Sequence, residues 1–98
     1  MIIRHDDNGE NGVFYAVENE LKDEAIGEMT YSWVNNNTIA INHTHVIDRY
    51  QNQGIGKQMV AKCVNFARKE NLKIIPICRY AKAIFDRTPE YSDVAINR

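Results

Sequence analysis

The residues best equipped for chemistry in this 98-residue chain are a pair of glycines and three reactive side chains. Gly54 and Gly56 lie in VIDRYQNQGIGKQMV, positions 46–60, where a β-branched run passes through a polar stretch and turns amphipathic. A helix that begins there leaves its first backbone amides without internal partners, and its dipole adds partial positive charge. Glycine at those two positions lets a phosphate approach without meeting a β-carbon, so the loop suits an anion. Its spacing is neither G-x-G-x-x-G nor G-x-x-x-x-G-K-[ST], which sets aside the dinucleotide and P-loop fingerprints. His43 brings an imidazole whose ordinary pKa of about 6.5 suits proton transfer, although a lone strand histidine also serves as a packing residue. Glu28 is either a base or an exposed acid on a half-solvated sheet face. Cys78 is a nucleophile if its pKa is lowered, and otherwise a small packing residue. His45 shares the strand parity of His43; Cys63 falls on an apolar helix face, and His5 lies near a terminus.

These residues need elements to hold them. VFYAVE (13–18) is a strand between turn-rich DDNGENG and NELKD. In EAIGEMTYSWV, Ala25, Gly27, Met29, Tyr31 and Trp33 alternate with Ile26, Glu28, Thr30 and Ser32, so one face is largely apolar and the other mixed. The asparagines at 35–37 make a turn, and TIAINHTHVID returns as a third strand of an antiparallel meander. Ile2 to His5 adds an edge strand. From Gly54 the period becomes helical: Ile55, Met59, Val60, Cys63, Val64, Phe66 and Ala67 fall on one side, with Asn71 as C-cap. LKIIPIC is a short buried strand, and Pro76 within it requires an edge position or a diverging partner. YAKAIFDR predicts a second, short helix, and TPEYSDVAINR a tail. The strands flanking the first helix should run parallel with a right-handed crossover. The expectation is one α+β domain over residues 1–98.

With 44% hydrophobic and 26% charged residues and a formal net charge of −1, the chain lacks the broad basic footprint of a nucleic-acid binder. Basic residues still gather at Lys57, Lys62, Arg68, Lys69 and Lys73, followed by Arg79, Lys82 and Arg87, as a solvated helix face or a local anion site. No apolar stretch approaches the roughly 20 residues that span a bilayer, and the N-terminal residues do not read as a secretory signal. Cys63 and Cys78 are too few and too far apart for a zinc site, so free thiols in a reducing cytoplasm, and no metal, are expected.

The pattern Val46-x-x-x-Tyr50-Gln51-x-x-Gly54-x-Gly56 resembles the pyrophosphate-binding motif of the GNAT superfamily of N-acetyltransferases, with Asp48 where a proline is common. HTHV (43–46), KIIPIC (73–78) and PEY (89–91) resemble its very small single-domain YjdJ-type subgroup, nearly along the full chain. The resemblance implies a GNAT-like mixed sheet, an antiparallel meander followed by a parallel βαβ unit that splays at the cofactor site, truncated at the C-terminus. It implies acetyl-CoA as cosubstrate. Amides of Gln51, Asn52, Gln53, Gly54, Ile55, Gly56 and Lys57 would cradle its pyrophosphate, and the backbone from Thr44 through Val46 to Ile47 would pair with pantetheine. Pro76 would then lie at the gap, or else be an ordinary edge proline.

In that setting His43 and Glu28 are candidate bases, and Cys78, with Arg79 beside it, could take the acetyl group itself. The superfamily's A-x-x-[LI]-Y is Ala81-x-x-Ile84-Phe85 here, so the usual phenol is missing; Tyr80 and Tyr91 do not align with it. Lys82 and Arg79 are candidate phosphate contacts. Few residues follow the second helix, which implies an open acceptor site suited to an amine on a protein or peptide, a lysine or an N-terminus. No nucleic acid or membrane partner is expected, and the chain should be a monomer or weak dimer. Two other readings stand beside the transferase: an acyl-CoA-binding or sensing module with little turnover, and an interaction domain whose glycine loop is purely structural.

Overall fold

The computed structural model describes residues 1–96; residues 97 and 98, the end of the expected tail, lie outside the described residues. Five strands form one mixed sheet in chain order: β1 (Ile2–Asp7), β2 (Asn11–Val17), β3 (Gly27–Asn35), β4 (Thr38–Val46) and β5 (Lys73–Pro76). Helix α1 (Ile55–Glu70) connects β4 to β5, and α2 (Arg79–Arg87) follows β5. The first four strands are antiparallel neighbours, and β5 runs parallel to β4. This is the mixed α+β architecture expected from the sequence, with the edge strand continuing two residues beyond His5 to Asp7.

Alternation decides which sheet face is buried. Phe14 and Ala16 on β2, Met29 and Tyr31 on β3, Ile39 and Ile41 on β4, and Ile74 on β5 join one apolar cluster with Ile55, Met59, Val60, Cys63, Val64 and Ala67 of α1. The helical period therefore meets the strand period on a single surface. Asn71 ends α1 in the left-handed region at φ 57°, its N–H donating to the Ala67 carbonyl. Ala81, Ile84 and Phe85 bring α2 into the same cluster.

Pro76 has the simpler of its two explanations. Lys73 and Ile77 donate their N–H groups to Asn37 and Ile41, towards β4, whereas Ile74 donates to Val94 on the outer side. Two residues on from Ile74, Pro76 also faces outward, so no bond to β4 is lost. It is an edge proline and owes nothing to the gap. The tail does more than its composition suggested: it returns along β5 through a parallel bridge between Ile74 and Ala95.

Candidate functional site

The site begins with a slip in register. Thr30 pairs with His43 but Tyr31 pairs with Ile41, leaving Asn42 as the extra residue of a β-bulge. A bulge bends its strand and sharpens its twist. On the other side of β4, pairing with β5 stops at Ile41 and Pro76. The Ile41 carbonyl accepts from both Ile77 and Cys78 N–H, at 3.1 and 2.9 Å. Past that point β4 runs on to Val46 while the other chain turns into α2, so the two parallel strands part.

A cleft of about 570 Å³ opens there, lined by Thr44, His45 and Val46 on β4, the loop and helix start from Tyr50 to Lys57 apart from Gln53, and Tyr80 and Arg87 of α2. The loop's backbone is held by its own side chains: Gln51 Nε2 donates to the Val46 carbonyl at 3.0 Å, and Gln53 Nε2 to the Arg49 carbonyl at 3.3 Å. Asn52 and Gly54 take left-handed backbone conformations, at φ 66° and 78°. The Gln51 N–H is occupied, donating to the Asp48 carbonyl at 3.2 Å, so Gln51 cannot supply an amide to a ligand. From Asn52 to Lys57, by contrast, no backbone N–H meets a protein acceptor among the described residues; the first helical bond is Gln58 N–H to the Gly54 carbonyl. A run of unpaired amides at a left-handed turn and a helix N-terminus forms a positively polarised concavity.

Cys78, at the N-cap of α2, lies at the parting of the strands, its Sγ 3.4 Å from Thr44 Oγ1. Burial would raise its pKa, but the Thr44 hydroxyl and the amides of Ala81, Tyr80 and Thr44 outweigh it, and the thiol is held below its ordinary value. Arg79, the expected cause, is not among these groups. Cys63 is core, its thiol pushed up to about 12 by burial. His43 and Glu28 stand elsewhere. Met29 pairs with Thr44, on the face towards α1, whereas Thr30 pairs with His43 and Glu28 with His45, on the opposite face. Glu28, His43 and His45 are exposed there. Cys78 and Thr44 are thus brought together, and the two candidate bases line a different surface of β3 and β4.

Sequence reasoning named two groups, Arg87 within a local anion site and Tyr80 as a phenol out of alignment, without placing either at the cleft. The cleft's second wall is Tyr80 and Arg87; Lys82 instead pairs with Asp86 at 3.3 Å, and neither it nor Arg79 lines the cleft. Phe85, where the phenol was sought, is buried edge-on against Tyr91. His5 also proves to be structural: its Nε2 lies 2.6 Å from Tyr31 Oη, which donates to Asp7 Oδ2 at 2.5 Å. Among the described residues no group of three or more His, Cys, Asp or Glu side chains is placed to hold a metal, and no helix is long and apolar enough to cross a membrane.

The family pattern described as GCN5-related N-acetyl-transferase matches residues 14–94. No curated protein matches the chain. Among solved structures, a GCN5-like candidate N-acetyltransferase from Staphylococcus aureus is similar at 36% identity over 97% of this chain and 89% of its own, with a TM-score of 0.73. An aminoglycoside acetyltransferase from an uncultured soil metagenomic sample shares the fold at 17% identity and a TM-score of 0.61, over 94% of this chain and 63% of its own. The aminoglycoside N-acetyltransferase AAC(6')-Iy, solved in complex with CoA, shares it at 15% identity and a TM-score of 0.56, over 82% of this chain and 67% of its own.

Proposed function

Since the chain belongs to the GCN5-related N-acetyltransferase family, we propose that it moves an acetyl group from acetyl-CoA to an amine, and that the cleft between β4 and α2 holds the donor. The observation that carries this reading is the run of unpaired amides from Asn52 to Lys57 at the mouth of that cleft. The residues fit the ligand chemically. Amides without protein partners suit a diphosphate, and the edge of β4 left by β5 at Thr44 and the Val46 N–H suits a pantetheine arm hydrogen-bonded as an added strand. The Ile47 N–H, expected to join it, already donates to the Ile26 carbonyl, and the Val46 carbonyl already accepts from Gln51.

The thioester, when bound, supplies an acyl group already activated for transfer. The chain has to position it, polarise its carbonyl and accept a proton from the amine. An amine of pKa about 10 is mostly protonated at neutral pH, so a base is needed. His43 and Glu28 would serve an acceptor arriving from the exposed sheet face, opposite Thr44 and Cys78. Cys78 offers a second route: its thiolate attacks the acetyl carbonyl, the CoA thiolate leaves, and the amine then displaces the Cys78 sulfur. Direct transfer survives Cys78→Ala; the two-step route does not.

The test is release of free CoA, followed while purified protein is mixed with acetyl-CoA and a panel of amines, peptides included. Amine-dependent release that is lost in Gly54→Trp supports the reading. Binding of acetyl-CoA without release by any acceptor would instead support an acyl-CoA-holding module. That alternative is favoured by Phe85 standing, buried, where the family's proton-donating tyrosine would be.

A further inference from the structure

Facing the amide loop, the cleft has a cationic wall that diphosphate binding does not account for. Tyr80 and Arg87 both line it from α2. Seven residues apart, they share one side of the helix and are separated by about 10 Å of rise. The Tyr80 ring lies directly against Gly56, in the space a β-carbon would need, so the near end of α2 stands beside the free amides. Arg87 is therefore stationed roughly two helical turns farther along the same wall.

Like most cations of this surface, Arg87 stands without an ion pair among the described residues, and what sets it apart is its place in the cleft. Lys82 pairs with Asp86, and Arg68 with Asp93. Arg87 has neither an ion pair nor a hydrogen bond among the described residues, and the same is true of Lys57, the cleft's other cation. No aspartate or glutamate lines the cleft. Two uncompensated cations in one concavity raise its potential and draw in an anion.

We propose that Arg87, assisted by Lys57, binds the 3′-phosphate of coenzyme A and makes the cleft selective for the phosphorylated form of the nucleotide. The inference rests on the cofactor reading above. If the diphosphate sits on the amides beside Gly56, the ligand's remaining anionic group is the 3′-monoester, a ribose away, and Arg87 is the cation that lines the facing wall. A planar guanidinium suits a terminal phosphate because it donates two parallel N–H bonds to a pair of oxygens.

Calorimetric titration with CoA and with 3′-dephospho-CoA tests it, using wild type, Arg87→Gln and the charge control Lys62→Gln, an exposed residue of α1 outside the cleft. The expected result is that wild type and Lys62→Gln prefer CoA by about five- to tenfold at low salt, a preference that shrinks as salt rises. Arg87→Gln should lose that preference while keeping its affinity for dephospho-CoA. Equal affinity of wild type for both ligands overturns the proposal, as does an equal loss for both in Arg87→Gln, which would place the guanidinium on the diphosphate. Failure of wild type to bind either ligand would remove the cofactor reading itself, and the proposal with it.

Discussion

A β-carbon added at Gly56 would overlap the Tyr80 ring, and one added at Gly12 would overlap the ring of Tyr31, yet the two substitutions should behave oppositely. Tyr80 is 44% exposed and free to swing aside, whereas Tyr31 is 1% exposed and hydrogen-bonded at its hydroxyl. Gly12→Ala is therefore expected to lower stability by about 1–3 kcal/mol, read as a shift in urea midpoint. Gly56→Ala should change stability by less than about 1 kcal/mol, because a better helix former offsets the displaced ring. It should still weaken CoA binding, on the order of tenfold, by narrowing the approach to the amides. Cys78 makes a second residue-scale case. With Thr44 Oγ1 at 3.4 Å and its thiol below the ordinary value, its alkylation by iodoacetamide should have a pH midpoint below that of a free thiol. Thr44→Val should move that midpoint up. Cys63, buried in the core with its pKa near 12, should stay unmodified in the native protein. A wild-type midpoint at or above that of a free thiol would count against an activated Cys78.

Strands β1, β2 and β3 are tied by side chains as well as by their ladders. Tyr31 Oη and Trp33 Nε1 both donate to Asp7 Oδ2, at 2.5 and 2.8 Å, while the His5 ring stacks on Phe14 with centroids 4.0 Å apart. Burial lowers the pKa of His5 below its usual 6.5, with partial opposition from Asp7 and Asp6. The unfolded chain then binds the His5 proton more readily, so acidification through 6.5 favours unfolding. For Asp7, burial is outweighed by the Tyr31, Gly9 and Trp33 bonds, and its pKa falls below 3.8. Its contribution is complete above 3.8 and is lost below it, which acts in the same direction at lower pH. The urea midpoint of wild type should therefore fall between pH 7 and pH 5, and His5→Asn should flatten that dependence. Tyr31→Phe should lower the midpoint at both pH values, by about 1–3 kcal/mol of stability, since it removes a bond to the Asp7 carboxylate and leaves the half-buried His5 Nε2 without its partner. None of this network was legible in the sequence, whereas the elements carrying it were. Alternation along 25–33 and the helical period from Gly54 report each segment's own burial, so strands, helix and C-cap could be read locally. The bonds from Asp7 to Tyr31 and Trp33 join residues two strands apart, and Tyr31 reads only as another position on an apolar face. The cleft divides in the same way: its glycine loop is contiguous and legible, but Tyr80 and Arg87 join it only through the docking of α2.

At the scale of the whole molecule, the parallel edge of the sheet is where the functional gap and its support meet. Strand β5 is four residues long, and its last residue cannot donate on the outer side. The tail covers that side: Ile74 N–H donates to the Val94 carbonyl at 2.7 Å and Ile96 N–H to the Ile74 carbonyl at 2.8 Å. Arg68 reaches both carboxylate oxygens of Asp93 and the Glu90 carbonyl, and Lys73 Nζ the Asp93 carbonyl. Those ionic contacts are exposed, whereas the Val94 side chain is buried in the core, so apolar burial should dominate. Val94→Ala is expected to cost about 1–2 kcal/mol, and Asp93→Asn to leave the melting temperature nearly unchanged. Because β5 ends where Cys78 and α2 begin, a loosened β5 should also disturb the cleft. Native Val94→Ala, held well below its melting temperature, should therefore alkylate faster at Cys78 and bind CoA more weakly than wild type. If both properties stay at wild-type values while stability drops, the tail steadies the fold without helping to shape the gap.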